Sequence, residues 1–121
     1  MILVDTSVWA DHFRRGEAAL ISCLTQQLVM LHPFVIGELA LGHLHSRASI
    51  LENLRAAPQA PVAPEDDVLK LIECEDLAGT GIGYVDVHLL ASVRSAGAAL
   101  WTRDRRLRAA ADRMGLASKA D

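Results

Sequence analysis

Ile2, Leu3 and Val4 form an unbroken apolar run that stops at Asp5. A short apolar segment bounded by an acid predicts a strand buried on both faces. Thr6 and Ser7 then offer cap hydroxyls to a helix over "SVWADHFRR", which carries Trp9 and Phe13 four apart on one face and ends at Gly16. The alternation continues with a helix over "EAALISCLTQ", a strand over "LVMLH", a long helix over "PFVIGELALGHLHS" with Pro33 in its first turn, and a short helix over "ASILENLRAA". The prolines of "PQAPVAP" allow only a brief edge strand around Val62. Apolar positions 68, 69, 71, 72 and 77 make a helical stripe. Beyond it the pattern predicts a helix from about Asp86 to Ala96, a strand over "AALWT", a helix over "DRRLRAAADRMG" and a last small strand near Leu116.

Strands alternating with helices predict an α/β fold, a three-layer α/β/α domain around a central parallel sheet of four to five strands. With 121 residues, 51% of them hydrophobic and 22% charged, the chain is expected to be a single domain over residues 1–121. No apolar stretch approaches the roughly 18 residues of a membrane span, so no membrane segment or signal peptide is expected and the protein is placed in the cytoplasm. Cys23 and Cys74 lie far apart without metal-ligand spacing and are expected to be free thiols. His43 and His45 would point to different faces of a helix and make a poor metal pair.

A net charge of -3 argues against a nucleic-acid partner only until the charges are located. Seven of the twelve basic residues fall from Arg94 onward, Arg103, Arg105, Arg106 and Arg108 among them. The acids from Glu65 to Asp76 suit the start of a solvated helix.

Four carboxylates stand out. Asp5 and Asp104 follow predicted strands, where an open parallel sheet places its ligands, although each is equally suited to capping the next helix. Glu38 is the only Asp, Glu, Lys or Arg between Pro33 and His45. That helix is apolar nearly all round and is expected to be largely buried, so Glu38 must reach the surface, pair with a base or join a shared site. Asp86 opens a helix after the glycines of "GTGIG", which follow a helix rather than a strand and depart from the G-x-G-x-x-G phosphate pattern. Those glycines are expected to form a flexible entry that presents Asp86. Four converging carboxylates repel one another unless a cation neutralises them, and an all-oxygen set suits Mg²⁺ or Mn²⁺ better than Zn²⁺. Without these four, eleven acids face twelve bases, a balance that suits a polyanion.

In "MILVDTSVW", "GELALG", "GIGYVDVHLLAS" and "LWTRDRRL", in this order and spacing, the chain resembles the PIN-domain ribonucleases, and specifically the VapC-type toxins of bacterial toxin–antitoxin pairs. The resemblance spans essentially the whole chain. It implies a metal-dependent endoribonuclease that cleaves structured RNA, transfer or ribosomal, by in-line attack of a metal-activated water, leaving a 5′ phosphate. Asp5 and Asp86 would be direct ligands of Mg²⁺ or Mn²⁺, Glu38 would hold a metal or orient the water, and Asp104 would complete the pocket. Thr6, Ser7 and Thr102 would hydrogen-bond to the carboxylates or to water on the metal, and Arg103, Arg105, Arg106 and Arg108 would track the RNA backbone. A VapB-type antitoxin in an apolar groove near Trp9 and Phe13, and a second copy of the chain in a homodimer, are the protein partners implied. The alternative is a catalytically silent PIN-like module that binds RNA or serves as a scaffold. A receiver domain or a haloacid-dehalogenase-like phosphatase fits poorly, because the only lysines are Lys70 and Lys119 and Asp5 is followed by Thr6 and Ser7 rather than by a D-x-D.

Overall fold

In the computed structural model, which describes residues 1–120, three short parallel strands lie in the order β2-β1-β3, with β1 Ile2–Val4 between β2 Val29–Met30 and β3 Ala99–Trp101. Ile2 stands opposite both Val29 and Ala99, and Val4 opposite Trp101. Leu3 and Val4 are wholly buried, as the apolar run requires of a central strand covered on both faces.

Helices α1 Thr6–Arg15 and α2 Ala18–Thr25 link β1 to β2. Helices α3 Pro33–Ala40, α4 Arg47–Ala56, α5 Glu65–Cys74 and α6 Tyr84–Ala96 then carry the chain from β2 past β1 to β3, and α7 Arg105–Arg113 follows. The two connections step in opposite directions from the central strand, so right-handed crossovers put them on opposite faces of the sheet. The direction reverses at β1, and the carboxyl ends of β1 and β3 lie side by side there. No described helix is long and apolar enough to cross a membrane. Cys23 and Cys74 are free thiols.

The sheet is narrower than the four to five strands expected. Around Val62 there is no strand; a single bridge pairs Leu31 with Gln59 instead, through Leu31 N–H to Pro58 O at 2.8 Å and Ala60 N–H to Leu31 O at 2.6 Å. Pro58 and Pro61, which lack N–H donors, bracket that bridge and stop it from growing. The strand expected near Leu116 is likewise one bridge, Leu100 with Ala117.

Helix α3 ends at Ala40, short of the long helix that was expected. Arg47 donates to the carbonyls of Ala40 and, at 3.2 Å, of Gly42, so a side chain from the next helix satisfies acceptors that continued α3 would have used. At the other end of α3 the fully buried His32 is the cap, its Nδ1 accepting the Phe34 N–H at 3.0 Å. Nδ1 is therefore unprotonated and Nε2 carries the hydrogen toward Ser92 Oγ at 3.2 Å, while Ser92 donates to Pro61 O at 2.6 Å. Burial, followed by the nearby His88, pushes the His32 pKa down to about 4, so it is neutral near pH 7.

Candidate active site at the carboxyl end of the central strand

Asp5 leaves β1 at the N-cap position of α1, yet its side chain makes no capping bond. It accepts instead from Thr102 Oγ1 at 2.7 Å and Ser7 Oγ at 2.9 Å, both at Oδ2, and only 6% of the residue is exposed. Thr102 reaches this point because β3 runs beside β1 in register, with Val4 opposite Trp101. The pairing that builds the sheet thus brings the hydroxyl of one strand end onto the carboxylate of the other. The same two hydroxyls tie down the following loop, through Arg103 N–H to Ser7 Oγ at 3.0 Å and Asp104 N–H to Thr102 Oγ1 at 3.1 Å.

Asp104 is a true helix cap: Oδ1 accepts the N–H groups of Arg106 and Leu107, each at 3.0 Å, in the first turn of α7. Asp86 lies two residues inside α6 rather than at its start, because the helix begins at Tyr84. Its Oδ2 accepts the N–H of Gly83 at 3.1 Å. Gly83 is extended, with φ -83°, so the contribution of this glycine is a backbone donor that fixes the carboxylate rather than looseness. Gly81 differs: its φ is +88°, and a Cβ there would stand 2.6 Å from Arg106 Nη1.

Glu38 reaches the surface, one of the outcomes open to it, because α3 turns Val35 and Leu39 into the core and Glu38 outward, so the helix is less buried than its composition predicts. Thr6 Oγ1 donates to its Oε1 at 2.6 Å and holds it at the head of α1. Burial raises the pKa of Asp86; the Gly83 N–H opposes this, and the charges of Asp5, Asp104 and Glu38 raise it further. The four acids are therefore electrostatic neighbours around Asp86.

Each of the four has one oxygen bound to the protein frame: Oδ2 of Asp5 and Asp86, Oδ1 of Asp104 and Oε1 of Glu38. The second oxygen of each has no hydrogen bond to a described residue. Oriented carboxylates with free oxygens and mutual repulsion are a donor set for a hard divalent cation. Among the described residues no group of three or more His, Cys, Asp or Glu side chains is already gathered into a metal-holding cluster. The donor chemistry nonetheless fits Mg²⁺, which keeps several of its waters and binds through one or two carboxylates plus substrate oxygens rather than an all-protein cage.

The arginines divide. Arg103, expected on RNA, donates to Asp11 Oδ2 and Glu17 Oε1, both at 2.7 Å, and its side chain is only 22% exposed. Its hydrogen bond is the main reason that the Glu17 carboxyl is lowered to about 2 and that Asp11 is lowered too. This ion-pair group joins the loop after β3 to α1 and to the start of α2, so Arg103 is engaged in structure rather than presented to a ligand. Arg105 and Arg106 are exposed, and Arg108 lies 3.5 Å from Asp112.

One feature escaped the sequence pattern, and one expected feature takes shape. His88, two residues beyond Asp86, is buried between the rings of Phe34 and Tyr84, with both centroids at 4.9 Å, and its Nδ1 has no hydrogen-bond partner. These rings brace the first turn of α6 under Asp86; only the apolar neighbours of His88 hinted at its burial. Trp9 and Phe13 stack at 5.7 Å and line an apolar groove of about 200 Å³ with Leu24, Leu31 and Leu54.

A family model described as "PIN domain" matches residues 2–113. The chain is 48% identical over 118 residues to Ribonuclease VapC32 of Mycobacterium tuberculosis, in strains CDC 1551 and H37Rv alike, across 97% of this chain and 95% of that protein. Among solved structures, PAE2754 from Pyrobaculum aerophilum superposes with a TM-score of 0.66 at 21% identity, covering 97% of this chain and 87% of that one. A chain from a structure of FitAB bound to an IR36 DNA fragment gives 0.65 at 19% identity, covering 93% and 91%. At these identities the two structures speak for the fold alone.

Proposed function

The chain belongs to the PIN-domain family, in its VapC-type branch, and from that premise we propose that it is the endoribonuclease toxin of a VapBC-type pair, cleaving structured RNA with the help of Mg²⁺ or Mn²⁺. The observation that carries the proposal is the set of four carboxylates around Asp86, each fixed through one oxygen and free at the other. Similarity to a ribonuclease over almost the whole chain supports the same activity.

Asp5 and Asp86 would hold the ion, with Glu38 and Asp104 completing the pocket. When bound, such an ion lowers the pKa of water and neutralises charge on a phosphodiester. The protein's part is positioning. Thr102 and Ser7 lock the Asp5 rotamer, Gly83 orients Asp86, the α7 amides orient Asp104, and Thr6 keeps Glu38 where it can accept a proton from an attacking water. Arg105 and Arg106, on the exposed start of α7 beside Asp104, supply positive charge to the RNA backbone.

The groove of Trp9, Phe13, Leu24, Leu31 and Leu54 is the proposed seat of a VapB-type antitoxin. A second copy of the chain is the other partner proposed, and sedimentation of the purified chain measures it.

The deciding experiment incubates antitoxin-free protein with transfer RNA and ribosomal RNA in Mg²⁺ and maps the new 5′ ends. Wild type is expected to cut at a discrete site, whereas Asp5→Asn and Asp86→Asn retain their circular dichroism and lose cleavage. Equal cleavage by these variants overturns the assignment.

A further inference from the structure

Beside Glu38 a groove of about 480 Å³ opens between α1 and the loop that follows α3. Its inner end is the Thr6–Glu38 pair of the candidate site; Phe13 and Leu39 form an apolar wall, and Arg14, His43 and His45 stand on its rim. We propose that this groove seats a nucleotide of the RNA next to the phosphate being cleaved, its base against the apolar wall and its phosphate on the rim. The proposal rests on the nuclease assignment above and extends it to residues outside the acidic set.

Three observations carry it. First, the groove is continuous with the site, because Glu38 and Thr6 line both. A strand whose scissile phosphate lies at the carboxylates must extend its neighbouring nucleotide along one of the surfaces leading away from them.

Second, the chemistry is graded in the way that a nucleotide requires. Apolar and aromatic side chains offer stacking contact, and an imidazole presents both an N–H donor for phosphate oxygens and a face for a base. Arg14 is paired with Asp11 yet its side chain stays 68% exposed, while Arg15 and Arg103 are shared between Asp11 and Glu17, so the Arg14 guanidinium keeps a face open to solvent on the rim. A basic segment of a protein partner would meet like charge on this rim, whereas a polyanion is attracted.

Third, the rim is a built structure. The hydrogen bonds of Arg47 to the carbonyls of Ala40 and Gly42 fix the loop that carries His43 and His45, and Ser46 closes it in the left-handed region at φ 53°. His43 and His45, a poor metal pair in sequence, find in this groove a use for their alternate positions.

The test measures binding of a fluorescein-labelled RNA hairpin carrying 5-iodouridine in its loop, in chelator, across a salt series, and then maps photo-crosslinks on the full chain. His43→Ala with His45→Ala is expected to weaken binding about tenfold. The loss in turnover falls on KM rather than on kcat. Arg14→Gln reduces the slope of log affinity against log salt by about one. Arg55→Ala, on the exposed face of α4, is the control and leaves the slope unchanged. Crosslinks to Phe13, His43 or His45 support the proposal. Undiminished affinity in the variants, or crosslinks confined to α7, overturns it while the nuclease assignment stands, as does a groove whose variants bind RNA normally but lose a protein partner. If wild type neither binds nor cuts any RNA tried, the nuclease assignment itself falls and this proposal with it.

Discussion

Thr102 donates its hydroxyl to Oδ2 of Asp5 at 2.7 Å across 97 positions of sequence, and the bond exists because β1 and β3 are neighbours in the sheet. Thr102 is 1% exposed and also accepts the N–H of Asp104, so one buried hydroxyl orients two of the four acids.

Replacing Thr102 by Val keeps the shape and removes the hydroxyl. Leaving a buried acceptor and an amide short of partners costs about 1–3 kcal/mol. Thermal unfolding is expected several degrees lower, with cleavage reduced, while Thr102→Ser restores both. A Val variant equal to wild type in each measurement would show that Ser7 alone holds Asp5.

Gly83→Pro isolates the donor that fixes Asp86. The φ of -83° is close to that of proline, so the change removes the N–H with little cost to the backbone. Cleavage is expected to fall by about ten- to a hundredfold through misplacement of the carboxylate. Gly83→Ala keeps the N–H, and its Cβ would lie at an ordinary 3.6 Å from Asp86 Oδ2. Steady-state cleavage by Gly83→Ala near the wild-type rate, beside a slow Gly83→Pro, is the expected pattern.

Asp86→Asn should stabilise the protein in chelator, because burial and three neighbouring acids disfavour the ionised carboxylate. Mg²⁺ or Mn²⁺ reverses the order. At a free ion concentration of a hundred times Kd the wild type gains about 2.7 kcal/mol, and the variant gains less. Scanning calorimetry with and without the ion reads both effects independently of catalysis.

Acid unfolding should come in two stages. His32 folds as the neutral ring, so its contribution is complete above its ordinary 6.5 and declines as pH falls toward its folded value of about 4. Glu17 folds ionised beside Arg103, so its contribution is complete above the ordinary 4.5 and is lost as pH falls through about 2. Urea midpoints against pH should flatten in the upper window for His32→Asn and in the lower window for Arg103→Gln. Parallel profiles for wild type and either variant would contradict these roles.

The sequence by itself determined what depends on neighbours along the chain. The apolar run before Asp5, the helical stripes, the order of the three strands among the helices and the four acids as a candidate set were legible, because periodicity and local chemistry reveal which face of an element is buried. The tertiary structure decided what depends on partners far away in sequence. Asp5 and Asp104 look alike in the chain, each an acid before a helix, yet only Asp104 caps its helix, because Asp5 is claimed by a hydroxyl from another strand. The sequence left Glu38 three possible places and the fold puts it at the surface against Thr6; Arg103 looked available and is paired with Asp11 and Glu17. The strand expected near Leu116 shrank to a single bridge, and the one expected around Val62 is replaced by a bridge at Gln59 that prolines without donors bracket. In each case a polar group satisfies itself with whichever partner folding brings within about 3 Å, and that choice is made in space rather than along the chain.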